Sequence, residues 1–163
     1  MNRTEAWFVH LSTLLVGITG VIYAIMRYLM EPTDPFSVVN HPWQPTLQHL
    51  HVLVAPLMVF AVGLIWKKHI AGHWRAGLST GRRSGISLVL TMVPMIVSGY
   101  LIQVTITDTW RTAWIVIHCT TSGLWITGYL IHQIAALIRK RKSAEKRQES
   151  PNLERQPGYA VTH

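Results

Sequence analysis

Apolar positions in this 163-residue chain gather into four long runs, at about 7–30, 47–66, 85–105 and 113–138. Each run holds about 20 residues or more, enough for a helix to cross a ~30 Å hydrocarbon core. No small-x-small cleavage pattern follows the first run, so it is expected to stay as an anchor and not to be removed as a signal peptide. Pro32, Pro35, Pro42 and Pro45 punctuate the connection between the first two runs, where one helix must stop and the next start. Pro56 and Pro94 fall inside runs, at positions where membrane helices tolerate a kink. Beyond Lys142 the pattern becomes polar and loses its periodicity, which predicts a C-terminal tail over 143–163, ordered only against a partner. The expected fold is all-α: a transmembrane four-helix bundle over residues 1–142, followed by that tail.

Composition agrees with a membrane protein. Hydrophobic residues make up 49% of the chain and charged residues only 13%, against about 25% charged in an ordinary soluble domain. Trp7, Trp43, Trp66, Trp110 and Trp114 fall at the predicted boundaries, as interfacial anchors do. The single cysteine, Cys119, rules out a disulfide framework and a multi-thiolate metal cage, and there is no CxxCH signature of covalently attached haem.

The net charge of +8 would suit nucleic acid, but its distribution suits topology better. Of the fifteen Lys and Arg residues, all but Arg27 and Arg111 lie in the N-terminus, the middle loop or the C-terminal segment. The positive-inside rule then puts both termini and the middle loop in the cytoplasm, with the basic patches against anionic lipid. Arg27 and Arg111 fall on the outer side, with Glu31, Asp34 and Asp108.

Histidines inside the apolar runs carry the candidate chemistry, since an ionisable residue in a membrane segment is costly to keep. His10 opens the first run, His51 the second, and His118 and His132 share the fourth. The last two are fourteen residues apart, which on a helix is about 21 Å and within about 40° of the same face. With the orientation above, His51 and His118 lie near the outer surface and His10 and His132 near the inner one. Two imidazoles on facing helices can bind one iron from opposite sides, with the flat haem between them. Small residues near the ligands would give it room: Gly17 and Gly20, Ala55, Ala61 and Gly63, Ser98 and Gly99, Ser122, Gly123 and Gly128. Such residues also serve plain helix packing. Zinc, copper or non-haem iron are the metal alternatives, although no carboxylate lies near these histidines within the spans.

Two ligand positions have rivals. His49 is two residues from His51 but shallower and on the other side of the helix. His69 follows His51 by eighteen residues, five turns of a continuous helix, beside Lys67 and Lys68 at the water boundary. It could replace His10 or contact a propionate. His41, His73 and His163 read as solvated. Arg27 and Arg111 could pair with haem propionates, while Arg27 could instead pair with Glu31 one turn on. Tyr100, Gln103 and Thr105 form a candidate quinone pocket.

The stretches LHVLVAPLMVFAVGLIWKKH, RRSGISLVLTMVPMIVSGYL and WIVIHCTTSGLWITGYLIHQI together resemble the small di-haem cytochrome b membrane proteins. The pattern is similar to the cytochrome b subunits that anchor formate dehydrogenases, Ni,Fe-hydrogenases and thiosulfate reductases, over roughly residues 5–140. The resemblance implies two haem b groups, with ligands from helices 1, 2 and 4 at His10, His51, His118 and His132. It also implies a multi-pass protein of the bacterial cytoplasmic membrane that links quinone to an iron–sulfur or multihaem partner subunit. No general acid–base pair, activated nucleophile or phosphate loop is visible, so an electron-transfer subunit is expected and not an enzyme by itself. A haem-free anchor and a metal transporter are the readings of other classes.

Overall fold

The computed structural model describes residues 2–32, 34–75 and 82–154, excluding the side chains of Lys68, His73, Trp74, Arg82, Arg83 and residues 149–154. The described residues are all-helical. Helix α1 spans Arg3–Tyr28, α2 Gln44–Ile65, a π-helical turn Trp66–Ile70, α3 Ala71–Arg75, α4 Arg82–Val104 and α5 Asp108–Glu154. Four of these helices are long and apolar enough to cross a membrane, over Arg3–Tyr28, Gln44–Ile65, Ser84–Val104 and Asp108–Gln148.

The chain divides into two compact units, Met1–Leu78 and Ser79–His163. In the first, α1 packs on α2; in the second, α4 packs on α5. Each is a helical hairpin.

Local chemistry sets the helix ends. The backbone N–H of Asn2 donates to the Glu5 carboxylate at 2.8 Å, which starts α1 several residues before the apolar run. Asp108 opens α5 with a negative charge in the first turn, favourable at the positive end of the helix dipole. Between α1 and α2, the Phe36 N–H donates to the Asp34 side chain at 3.0 Å. Asn40 then donates from Nδ2 to the Arg27 carbonyl at 2.8 Å, and its N–H donates to the buried Gln44 side chain at 3.1 Å. That pair ties the end of α1 to the start of α2. Both α2 and α4 continue through their internal prolines, Pro56 and Pro94.

Ser12, Thr13, Thr19, Gln44 and Ser98 are buried alongside Met58, Ala61, Val62, Ile65 and Trp125, while Leu53, Leu90, Val104 and Leu137 are mostly exposed. Apolar surface on that scale is not carried by soluble monomers. In hydrocarbon it is the comfortable face, and the polar side chains are the ones that must find partners inside.

The polar segment after Lys142 is helical as far as Glu154, an unbroken continuation of α5. Ala144, Glu145, Lys146, Arg147 and Gln148 are strong helix formers, and the preceding helix has already met the cost of nucleation. Residues 143–148 are exposed, and residues 155–163, with Arg155 and His163, lie outside the described residues.

Candidate cofactor-ligating histidines

In the first hairpin, His51 leans from α2 onto the Thr19–Gly20 step of α1. Its Nδ1 lies 3.2 Å from the Thr19 hydroxyl. The same hydroxyl lies 2.8 Å from the Leu15 carbonyl and 3.1 Å from the Val16 carbonyl. With its one proton on these carbonyls, the oxygen accepts from Nδ1–H, and the lone pair of a neutral imidazole is then on Nε2. A side chain on Gly20 would put its Cβ 2.8 Å from Cε1 and 3.1 Å from Nδ1 of His51, so the ring rests where only a bare Cα leaves space.

His49, two residues earlier, is exposed. His10 is half-buried on α1, with the Trp7 ring edge-on at 6.4 Å. Nearby, the Thr13 hydroxyl is buried without a hydrogen-bond partner.

The second hairpin repeats the arrangement. His118 Nδ1 lies 2.9 Å from the Met95 carbonyl and 3.4 Å from the Ser98 hydroxyl. A carbonyl only accepts, so Nδ1 of His118 is again the protonated nitrogen and Nε2 again bears the lone pair. Ser98, 1% exposed, gives its own proton to the Pro94 carbonyl at 2.6 Å. A Cβ on Gly99 would meet Cε1 and Nδ1 of His118 at 3.1 and 3.2 Å. Further along α5, Nδ1 of His132 lies 2.9 Å from the Ser84 hydroxyl.

Midway between His118 and His132, seven residues from each, is Trp125, 5% exposed. Its indole stacks on Tyr129 with centroids 5.4 Å apart and planes 11° from parallel. Its Nε1 is buried with no hydrogen-bond partner.

Other candidates fall differently. His41 is half-buried, and its Nδ1 accepts the Trp43 N–H at 3.1 Å in an exposed hydrogen bond, which spends that lone pair on the turn before α2. His69 lies in the π-helical turn Trp66–Ile70. A π turn breaks α-helical phase, so the count of five turns from His51 no longer puts the two on one face. The His73 side chain is outside the described residues. Arg27 and Arg111 are both exposed; Arg27 offers its backbone carbonyl to Asn40. Tyr100 and Gln103 are exposed on α4, with Thr105 half-buried just after it. The free thiol of Cys119, next to His118 in the chain, is exposed.

Among the described residues, no three His, Cys, Asp or Glu side chains form a group that could hold a metal ion. The small residues also divide. Gly20 and Gly99 make room for the imidazoles themselves, a Cβ on Gly128 would meet Leu88 at 3.4 Å, and a Cβ on Gly17, Gly63 or Gly123 would meet nothing within 4 Å. Thr19, Ser84 and the Met95 carbonyl are absent from the sequence-based site. Their signal in the sequence is the hydroxyl–glycine step: Thr19–Gly20, Ser84–Gly85 and Ser98–Gly99 each put a hydroxyl on a histidine.

Compared with known protein families, curated proteins and solved structures, the chain matches none. The chemistry of the site therefore rests on the histidines and their neighbours.

Proposed function

We propose that this chain is a transmembrane electron carrier, a di-haem b-type cytochrome in which histidines of the two hairpins serve as axial ligands. The observation that carries the reading is the seating of His51 and His118, each with Nδ1 within hydrogen-bond reach of an oxygen on the neighbouring helix. An Nδ1–H spent on that oxygen makes Nε2 the nitrogen for coordination. Metal-bound histidines characteristically donate their other ring N–H in this way. The donor set fits haem: neutral imidazoles, with no group of three ligands such as a closed zinc site needs.

In this reading the hairpins associate as a four-helix bundle in the bacterial cytoplasmic membrane, with both termini and the middle loop in the cytoplasm. His51 and His118 hold the outer haem b, and His10 and His132 the inner one. Held by two histidines, each group would supply one-electron transfer and not oxygen activation. The helices orient the imidazoles and exclude water. Arg27 and Arg111 are the bases available to propionates on the outer side. Quinone, near Tyr100, Gln103 and Thr105, and an iron–sulfur or multihaem subunit are the proposed redox partners.

The test is a reduced-minus-oxidised visible spectrum with pyridine haemochrome analysis, on protein expressed with haem available. Two haem b per chain are expected. His118→Ala should remove the outer haem and His132→Ala the inner one; if either change leaves both bound, the pairing is wrong.

One observation favours a second reading. The hydrogen bonds of His118 and His132 also join α4 to α5, which is what polar glue in a haem-free anchor subunit would do. A protein without a b-type α-band would decide for that reading.

A further inference from the structure

We propose that Thr19 is a positioning residue for His51, locking the imidazole as its Nδ1–H tautomer so that Nε2 faces a metal. The inference rests on the haem reading for the identity of the metal, but not for the tautomer.

Two helix carbonyls bracket the Thr19 hydroxyl, Leu15 at 2.8 Å and Val16 at 3.1 Å. With its proton along α1, the oxygen is left as an acceptor toward His51. Thr19 is 7% exposed, so water is a poor substitute. Gly20 fixes the remaining freedom, since the ring contacts the α1 backbone where any Cβ would collide with it. Hydroxyl and glycine are consecutive, so one step of α1 sets both the protonation and the position of the ring.

The second hairpin shows the same device in a redundant form. His118 has both the Met95 carbonyl at 2.9 Å and Ser98 at 3.4 Å. The carbonyl cannot be removed by substitution, so His118 is buffered against loss of its hydroxyl. His41 is the contrast within the same chain: its Nδ1 accepts a hydrogen bond, which selects the opposite tautomer.

An imidazole whose N–H is bonded to an acceptor is a more basic ligand. It favours the ferric over the ferrous iron, so removing the acceptor moves the midpoint potential upward. The experiment compares wild type, Thr19→Val and Thr19→Ser as purified full chains. Two measurements are made: potentiometric titration of the α-band, and ¹⁵N NMR of labelled histidines on the reduced protein, with His51 assigned by difference against His51→Phe. The expected result is a positive shift of one of two midpoint potentials in Thr19→Val, with both haems retained, and return to the wild-type value in Thr19→Ser. In parallel, the His51 Nδ1–H signature should be present in wild type, lost or mixed in Thr19→Val, and restored in Thr19→Ser. Unchanged potentials with both haems bound, or His51 protonated at Nε2 in wild type, overturns the proposal. If every preparation lacks haem, the electron-carrier reading fails, and the NMR comparison alone decides the tautomer lock.

Discussion

Ser84 and His132 meet across the second hairpin with 2.9 Å between the hydroxyl oxygen and Nδ1. Ser98 lies fourteen residues after Ser84, and His118 fourteen residues before His132. Because α4 and α5 pack as an antiparallel pair, equal spacing on both lets one register serve both contacts. The two serines are not equivalent, however. His118 keeps the Met95 carbonyl when Ser98 is lost, and Ser98 stands off at 3.4 Å where Ser84 approaches His132 to 2.9 Å. If the chain binds haem as proposed, Ser84→Ala is therefore expected to weaken one haem by roughly 10–100-fold in affinity, the usual cost of removing such an outer partner. Ser98→Ala should change affinity much less. Haem titration of the two variants, followed by α-band amplitude, measures the difference.

Glycine substitutions separate seats from spacers. Gly20→Ala would place a methyl 2.8 Å from His51 Cε1, and Gly99→Ala 3.1 Å from His118 Cε1. Each should displace its ring and lower haem content toward one per chain. At Gly17 an added Cβ meets nothing within 4 Å. Gly17→Ala should keep both haems and raise stability by about 0.5–1 kcal/mol through helix propensity. Pyridine haemochrome analysis with thermal unfolding checks all three; full haem content in Gly20→Ala would contradict the seat.

In the proposed di-haem reading, His69 and His10 compete for one role, and the π-helical turn decides the expectation. With α-helical phase broken between Trp66 and Ile70, His69 loses its shared face with His51. His69→Ala should leave two haems, and His10→Ala should leave one. The reverse pattern in the reduced spectra would transfer the inner ligand to His69.

The four spans were legible because apolar runs of membrane length have few other uses. The predicted starts at residues 7 and 113 fall at Arg3 and Asp108 in the structure, since Glu5 and Asp108 extend helices into polar sequence that hydropathy leaves out. The helical continuation to Glu154 was hidden for the same reason: propensity, not periodicity, carries it. The histidines were visible as costly residues in apolar runs. Their partners were not, because linking Thr19 to His51 or Ser84 to His132 needs the register of each hairpin. The π turn, which undoes the helical count for His69, leaves no mark in the spacing.

Trp125 offers a test of packing between the two histidine levels of α5. Its indole is 5% exposed and stacked on Tyr129, yet Nε1 is buried without a partner. A buried unpaired donor costs about 1–3 kcal/mol, while loss of the whole side chain from a packed site costs about 3–5 kcal/mol. Trp125→Phe removes the orphan N–H and keeps a ring against Tyr129. The two effects nearly cancel, so its stability should lie within about 1 kcal/mol of wild type. Trp125→Ala should lose about 3–5 kcal/mol. Since Trp125 is seven residues, about two turns, from His118 and from His132, the cavity should disturb both levels. The α-bands of both haems should then shift in Trp125→Ala and neither in Trp125→Phe. Unfolding in mixed detergent, followed by tryptophan-independent circular dichroism, measures the stabilities. A Phe variant as unstable as the Ala variant would mean that Nε1 has a partner worth keeping.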